Sequence, residues 1–377
     1  MALRTAAVLL GLLLVFFQRF KRIVTRAWTP CCTSALVKAC TVNSKQNTFW
    51  KGVMMLNAAC WGGTFIAAKA SIDSLKAAGV PNAGASVGFL RFALATLPLL
   101  PWLHRSSCRE SAAMSLVVGA VWGMSYACTF ISYTLGTTGA KAAFITSLQS
   151  LVVAACTSCL ARKLQRGTLF SACLAVLGVA FLELNGSLES KIGDVICIAA
   201  PICVGVGWHL LGSNMKKYPD DFVPSVVIQF FVFTAMFGLW LFVDLHYREG
   251  LNGVLTWIRD LPTLLQTPNF LWPLLFSSIV GNLVTMMSAN LACRFLDVVD
   301  VSLIVTTEPL WAAVAAACIL GETFQLSDYI GCICVMAALL CNELWKELPQ
   351  DDWCFAYRKC ESGESGRNHQ SAPIAGG

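Results

Sequence analysis

The chain has 377 residues, of which 56% are hydrophobic and only 13% are charged. Soluble domains carry roughly 25% charged residues, so this composition excludes an ordinary soluble globule and predicts an integral membrane protein. The net charge of +6, much of it near the N-terminus, indicates attraction to a membrane surface and argues against a nucleic-acid partner.

Residues 1–51 form a basic N-terminal segment. The apolar run Ala6–Phe17 lies between Arg4 and Arg19, and no Asp or Glu occurs before Asp73. A run of about a dozen apolar residues is short for a membrane span but suits the core of a signal peptide. The pattern resembles a leader for a plastid bounded by extra membranes, or for the endomembrane system, and it equally fits an anchor segment. A signal anchor, a cytoplasmic basic tail and a plasma-membrane location stay open.

Ten runs of about 20 apolar residues follow, each long enough to span ~30 Å of hydrocarbon as a helix. The runs are continuous and do not alternate with polar residues, which favours helices over a membrane barrel. The connection 245–269 can form a short surface helix, and the tail 346–377 is expected to be disordered. The predicted fold is an all-α membrane protein with ten transmembrane helices, at 52–72, 84–103, 112–135, 139–160, 168–184, 193–212, 223–244, 270–291, 300–320 and 326–345.

Charge in the loops predicts the orientation. Ten spans place both ends of the chain on one side of the membrane. The loops on that side are richer in Lys and Arg than the opposite loops, with Arg105, Arg109, Arg162, Lys163, Arg166, Lys216, Lys217 and Arg294 against Lys76, Lys191, Arg248 and Arg259. By the positive-inside rule, that side is predicted to be the cytoplasm or its topological equivalent.

The two halves of the chain repeat each other. A shift of 160 positions aligns corresponding polar residues, among them Thr146 with Thr306, Gln165 with Gln325 and Glu183 with Glu343. An odd number of helices in each repeat turns the second repeat upside down in the bilayer. The sequence therefore predicts two inverted five-helix repeats, a recurrent plan of secondary transporters with a midplane site between the halves. Their predicted bounds are 52–185 and 193–345.

Several short motifs accompany the repeat. They are Trp61-Gly62-Gly63-Thr64-Phe65 with Lys69, Leu90-Arg91-Phe92, the stretch from Thr138 to Phe144 and, most specifically, Glu308-Pro309-Leu310 with Leu320-Gly321-Glu322. Over 52–345 the chain thereby resembles the EamA-type family of the drug/metabolite transporter superfamily. The resemblance implies ten helices in two repeats and export or exchange of small metabolites by alternating access. The first repeat departs from the pattern, because Gln149 stands where Pro309 does in the second, and Arg162 where Glu322 does.

Charged residues within the spans are candidates for the substrate pathway, because each costs about 2.5–3.5 kcal/mol at a helix centre on insertion scales. Arg91, in the second span, can contact an anionic group or fix helix packing. Glu308 precedes Pro309, which removes an intrahelical hydrogen bond. Glu308 can bind a cation, take a proton or pair with Arg91. Lys141, near the start of the fourth span, can attract an anion or simply reach the interface.

Uncharged polar and aromatic residues within the spans complete the predicted pathway. They are Trp61, Thr64, Thr146, Gln149, Trp208, Gln229, Asn282 and Thr306, and the same class includes Tyr126, Tyr133, His209, Asn290 and Thr307. Such residues often only hydrogen-bond between helices, each contributing on the order of 0.6 kcal/mol. The GxxxG spacings Gly84–Gly88 and Gly119–Gly123 predict close helix packing.

Motifs of several other protein classes do not occur. The sequence has no Walker A motif, no H-E-x-x-H and no His or Cys set with the spacing of a metal site. We therefore expect a non-enzymatic secondary transporter of a small metabolite, without cofactor or metal. Its expected partners are the substrate and the bilayer, and homodimerisation is left open. The alternatives are a non-transporting multi-pass receptor or scaffold and, among transporters, a plastid or Golgi exchanger of sugar phosphates or nucleotide sugars.

Overall fold

The computed structural model describes residues 44–80, 82–102, 108–161, 166–183, 192–267, 269–312 and 326–347. These residues form helices joined by short turns, and no strand occurs among them. The all-helical fold predicted from the continuous apolar runs is thereby confirmed. The predicted leader as far as residue 43, and the predicted tail from residue 348, lie outside the described residues.

Within the described residues, the predicted spans overlap helices, and the ninth span lies outside the described residues from position 313 onward. Leu148 separates α4 from α5, and Ile198 separates α7 from α8. The π-helix Phe276–Val284 joins α10 to α11. The helices are α1 Ser44–Ala77, α2 Ala83–Thr96, α3 Arg109–Thr134, α4 Gly139–Ser147, α5 Gln149–Ala161, α6 Arg166–Glu183, α7 Ile192–Cys197, α8 Ala199–Lys217, α9 Phe222–Leu265, α10 Leu271–Leu275, α11 Thr285–Ala292, α12 Val298–Val305 and α13 Leu326–Glu347.

Several of these segments are built to cross a bilayer. Six of them, within the described ranges, are long and apolar enough: Ala83–Trp102, Arg109–Thr134, Ala142–Leu160, Ile192–Lys217, Pro219–Leu265 and Leu271–Ala292. Gly167–Gly178 and Tyr329–Asn342 are shorter apolar helices. The chain is therefore a multi-pass membrane protein, while the full set of ten spans stays a prediction.

Helix α9 consists of two helices that meet at a kink. The first contains the predicted span 223–244, and the second, beyond Gly250, runs to Leu265 within the connection 245–269, where a short helix is expected. Gly250 has φ 64° and ψ −152°, a conformation that glycine adopts at little cost because it lacks a Cβ atom. Beyond the kink, Trp257 Nε1 donates to Ser86 Oγ (3.0 Å), and the Trp257 ring packs edge-on against Phe89. The segment expected to lie on the surface thus packs against α2.

Both GxxxG motifs face α9. A Cβ atom on Gly88 would lie 2.1 Å from the ring of Phe237, and one on Gly123 would lie 2.6 Å from the sulfur of Met236. Only glycine allows this approach, so the predicted close packing is confirmed. The large rings between these helices are fully buried, among them Phe92, Phe130, Phe230, Phe233 and Phe237.

The outer surface of the bundle is apolar. Large side chains such as Leu239, Ile333 and Leu340 are more than half exposed. An apolar exterior is what a lipid-facing helix requires, because hydrocarbon offers no hydrogen bonds to polar groups. Polar side chains are instead buried inside the bundle.

The two ends of the bundle are held together differently. At the end where α1 and α3 begin, here called the basic end, ion pairs join different elements: Lys51–Asp300, Lys216–Asp297, Lys217–Glu110 and Arg294–Asp220. At the opposite end, the far end, Lys76 Nζ donates to the carbonyl of Thr134 (3.3 Å) and Thr137 Oγ1 donates to Asp194 Oδ1 (2.8 Å). These four ion pairs between different elements all lie at the basic end.

Candidate functional site

A central cavity lies between α1, α2, α3 and α8, where the broken helices of the two halves meet. It contains about 700 Å³ of non-atom space, including its opening. Its lining runs from Trp61 to Ala68 on α1 and from Trp122 to Tyr133 on α3, so it occupies the middle of the bundle and the half nearer the far end. The lining residues are Trp61, Thr64, Phe65, Ala68, Arg91, Trp122, Ser125, Tyr126, Thr129, Phe130, Tyr133, Thr146, Gln149, Val204, Trp208, Met286, Val305 and Glu308.

Arg91 brings a positive charge to the cavity wall. Its side chain is only 3% exposed, and one terminal nitrogen donates to Asn282 Oδ1 at 2.7 Å. The rings of Phe92, Tyr126 and Phe130 lie 5.3–5.8 Å from the guanidinium carbon. No carboxylate of the described residues is within ion-pair distance, and Nε has no partner. A guanidinium has five N–H donors, so Asn282 satisfies only part of it.

Glu308 brings a carboxyl group to the same cavity. Helix α12 ends at Val305, a turn follows at Thr306 and Thr307, and helix resumes over 308–312. The Glu308 side chain is 5% exposed and makes no hydrogen bond or ion pair within the described part of the chain. A Cβ atom on Gly62 would lie 2.5 Å from the carbonyl oxygen of Glu308. The backbone at Glu308 is therefore seated directly on α1.

Three indole rings form one wall. The rings of Trp122 and Trp208 meet edge-on at 4.9 Å, and those of Trp61 and Trp208 at 6.1 Å. Trp208 Nε1 donates to Gln149 Oε1 (2.9 Å), and Trp122 Nε1 donates to the carbonyl of Val204 (3.3 Å). These bonds fix two of the rings, which leaves a rigid aromatic surface toward the cavity.

Several buried donors at the cavity have no partner. They are Nε1 of Trp61, Nε of Arg91, the hydroxyl of Tyr133 and Nδ2 of Asn282. A buried donor left unpaired costs about 1–3 kcal/mol, so such groups call for an explanation. The guanidinium carbon of Arg91 lies 5.6 Å from the centre of the Tyr126 ring, and Tyr126, Tyr133, Arg91 and Glu308 line the same cavity. No cluster of His, Cys, Asp and Glu that could hold a metal ion occurs among the described residues.

A chain of polar side chains separates the cavity from the basic end. Asn214 Nδ2 donates to Ser115 Oγ (3.1 Å), which donates to Ser225 Oγ (2.8 Å). Gln229 Nε2 donates to Ser225 Oγ (3.0 Å) and to Asn290 Oδ1 (3.2 Å). The chain thereby links α3, α8, α9 and α11 one to two turns below the cavity lining.

The sequence model of the EamA-like transporter family matches residues 48–184 and 191–343. The chain belongs to the EamA-like transporter family. Membership makes it a membrane transporter in general terms, as the motifs around Trp61 and Glu308 predict. The family assignment made from the sequence is thus confirmed.

Known proteins add a distant relative and a shared fold. The "Uncharacterized transporter YetK" of Bacillus subtilis is 25% identical over 225 residues, which cover 56% of this chain and 62% of YetK. The chain thus spans less than two thirds of that relative's length. A solved structure, titled only "Crystal structure of protein", matches with a TM-score of 0.55 and 13% identity over 78% of this chain and 96% of that chain. At that identity the likeness shows the fold alone.

Seven of the twelve pathway residues predicted for this EamA-family chain line the cavity. They are Trp61, Thr64, Arg91, Thr146, Gln149, Trp208 and Glu308. Gly281 lies against Thr64, since a Cβ atom there would be 2.0 Å from Thr64 Oγ1. The structure thus gathers residues from both halves of the chain around one space. Their part in transport stays a prediction.

The other five predicted residues lie elsewhere. Asn282 is behind the wall and accepts from Arg91, and Gln229 belongs to the polar chain near the basic end. Thr306 is buried and donates to the carbonyl of Ser302 (2.8 Å), and Pro309 is also buried. Lys141 lies in the first turn of α4, and its side chain is outside the described residues.

One face of α3 supplies six cavity residues, of which the sequence analysis names only Tyr126 and Tyr133 as candidates. They are Trp122, Ser125, Tyr126, Thr129, Phe130 and Tyr133. The spacing of three and four residues places all six on one face of the helix. Polar and aromatic side chains repeating with this period in an otherwise apolar span are a signal that could have found them.

Proposed function

We propose that this EamA-family chain is a secondary transporter that carries a small metabolite across the membrane by alternating access. The observation that carries the proposal is the central cavity, in which Arg91 and Glu308 are buried without pairing with each other. Ionisable residues inside membrane spans are costly and mark substrate or ion pathways. A membrane protein that only packs its helices has no need of two such groups in one open space.

The family model matches two separate stretches of the chain, which supports an organisation in two repeats. Each matched stretch covers five of the predicted spans, and the sequence repeat relates the segment around Thr146 to that around Thr306. In our proposal the stretches are inverted five-helix repeats, and the cavity lies between them. Arg91 comes from the first repeat and Glu308 from the second, so relative motion of the repeats changes the surroundings of both charges.

The contacts at the two ends of the bundle differ. This difference supports a conformation that is closed at the basic end. The polar chain and the ion pairs both lie between the cavity and the basic end. The cavity extends toward the far end. In our proposal the substrate enters from the far side in this conformation, and rocking of the repeats breaks the basic-end contacts. By the charge rule, the basic end faces the cytoplasm or its equivalent.

Uptake into proteoliposomes tests the proposal. Purified protein is screened against amino acids, sugar phosphates and organic cations, with and without a pH gradient. We expect saturable uptake of at least one class, impaired by Arg91→Gln and by Glu308→Gln. Arg248→Gln and Glu249→Gln make the same chemical changes at exposed positions outside the cavity and should transport normally. Binding of a compound without any flux would support a receptor and overturn the proposal.

A further inference from the structure

The second helix of α9, residues 251–265, lies across the far end of the bundle. Leu245, near the end of the first helix, belongs to the same apolar cluster as Ala85 at the start of α2. A straight helix would carry Trp257 about 18 Å beyond Leu245. Trp257 Nε1 instead donates to Oγ of Ser86 at 3.0 Å, and Ser86 is the neighbour of Ala85. The kink between the two helices therefore keeps the second helix at the level where α2 begins.

This helix has three different sides, because side chains spaced three, four or seven residues apart share one face. The side with Trp257 and Leu264 packs on the bundle. A second side is polar and exposed, with Asn252 and Arg259. The third side is exposed but apolar, and its residues are Leu251, Leu255, Ile258 and Pro262. Around a membrane protein, water and an apolar medium meet at the boundary where the bilayer ends.

We infer that residues 251–265 lie in the membrane interface, with their exposed apolar side in contact with lipid. Leu251 and Leu255 are each 64% exposed, close to the 63% of Leu239 on the outer surface of α9. The lipid-facing surface of α9 therefore continues past the kink. An amphipathic helix in the interface buries its apolar side about 5–10 Å into the boundary between headgroups and acyl chains. The inference needs only the multi-pass character of the chain and is independent of the proposed transport.

The residues around the apolar side fit this location. Tyr247 lies just before the kink and Trp272 follows the helix in the first turn of α10, and they are 68% and 79% exposed. Tyr and Trp are enriched where the bilayer meets water. The charges of 251–265 balance, because its charged residues are Arg259 and Asp260, whose side chains are 3.1 Å apart. Insertion of apolar side chains, and not attraction to anionic lipids, therefore holds the helix in place.

A second copy of the chain is the other candidate for covering the apolar side. A stable protein interface takes about 20–30 residues from each partner. The apolar side of this short helix offers far fewer, and they are bordered by the exposed polar side with Asn252 and Arg259. Lipid has no such size requirement, so the geometry favours lipid.

Lipid contact at this helix also reaches the wall of the cavity. Trp257 is bonded to Ser86, and Arg91 follows on the same helix α2 less than two turns later. A helix held in the interface thus supports α2 from outside the bundle, on the side where the cavity extends.

Photo-crosslinking of the purified full-length protein in phosphatidylcholine vesicles tests the inference. Leu255→p-benzoylphenylalanine places a probe on the apolar side that bonds to nearby C–H groups when illuminated. Asn252→p-benzoylphenylalanine is the matched control on the polar side, and Leu239→p-benzoylphenylalanine reports a lipid-facing position. Intact-protein mass spectrometry measures the share of chains that gain the mass of one phospholipid. We expect this share at Leu255 to be at least about fivefold higher than at Asn252 and within about twofold of that at Leu239.

Three results would overturn the inference while leaving the proposed transport intact. Equal lipid adducts at Leu255 and Asn252 would show that no interface orients the helix. A covalent dimer in place of the lipid adduct would show that a second copy covers the apolar side. A yield that rises several-fold when phosphatidylglycerol replaces part of the phosphatidylcholine would show that charge holds the helix. Ile258→p-benzoylphenylalanine repeats the measurement on the same side if the Leu255 variant fails to fold.

Discussion

Arg91 is oriented by one strong hydrogen bond, from a terminal guanidinium nitrogen to Asn282 Oδ1. Asn282 comes from the π-helix of the second half, and it leaves the charge of Arg91 uncompensated because an amide is neutral. A carboxylate at this position would accept the same bond but neutralise the guanidinium. The amide therefore positions Arg91 while keeping it available to a ligand.

Asn282→Asp should weaken substrate binding by at least about tenfold, because the new carboxylate competes for the guanidinium with a charged hydrogen bond. The melting temperature in detergent should not fall, since the buried charge gains a partner. The transport KM and thermal unfolding measure the two effects. Asn252→Asp, at an exposed position of α9, is the matched control. An unchanged KM would show that Arg91 does not contact the substrate.

Much of the site could be predicted because buried charges stand out in apolar spans. Arg91 and Glu308 are conspicuous for this reason, and the structure brings them to one cavity. The role of Asn282 as a support behind the wall was not visible, because an amide in a span looks the same whether it faces a ligand or another side chain. The position of Gln229 in the polar chain, outside the cavity, could not be predicted for the same reason.

At the scale of the helices, the interruptions near the cavity position the side chains of the candidate site. Helix α12 stops at Val305, turns through Thr306 and Thr307, and resumes at Glu308. The resumed helix lies so close to α1 that Gly62 has no room for a side chain. This contact fixes the position of the Glu308 carboxyl group along the axis of α1.

Gly62→Ala should push the backbone at Glu308 away from α1. Overpacking of this kind typically costs about 1–3 kcal/mol, so the melting temperature should fall and transport should drop. Gly52→Ala is the control on the same helix, since nothing lies within 4 Å of a Cβ atom there. Thermal unfolding in detergent and proteoliposome uptake measure both variants. Equal stability of the two would contradict the close approach described for Gly62.

The positions of the helices could be predicted, but their interruptions could not. Long apolar runs mark membrane helices whatever their surroundings, so the predicted spans overlap helices wherever the structure describes their residues. The break at Leu148 and the kink at Gly250 depend on packing between helices, which an apolar sequence does not reveal. Pro309 points to irregular backbone in its segment, and the turn lies just before it.

At the scale of the whole molecule, contacts at the basic end hold several elements together. Lys217 pairs with Glu110 at 2.9 Å, Lys216 pairs with Asp297, and the Tyr218 hydroxyl also donates to Glu110. Exposed pairs contribute only about 0.2–1 kcal/mol each, so the stability of these contacts depends on their number. In the proposed transport cycle this end must open, and weak contacts permit that.

Reversing charges at this end should shift the balance between the two conformations. Glu110→Lys alone should change the uptake rate by less than about fivefold, the equivalent of one exposed pair. Glu110→Lys with Asp297→Lys should change it more. Adding Lys216→Glu and Lys217→Glu restores opposite charges and should recover the original rate. A quadruple variant as impaired as the double variant would show that the pairs do not control closure.

The placement of the ion pairs also makes the molecule respond to the solution around it. Lys216 and Lys217 and their partners are exposed, and dissolved ions shorten the reach of such charges from about 8 Å at 0.15 M salt to about 3 Å at 1 M. Contacts at the far end include the buried hydrogen bond from Thr137 to Asp194, which ions screen much less. Concentrated salt should therefore loosen the basic end, so in the proposed transport cycle the ionic strength on that side would set how readily the cavity opens toward it.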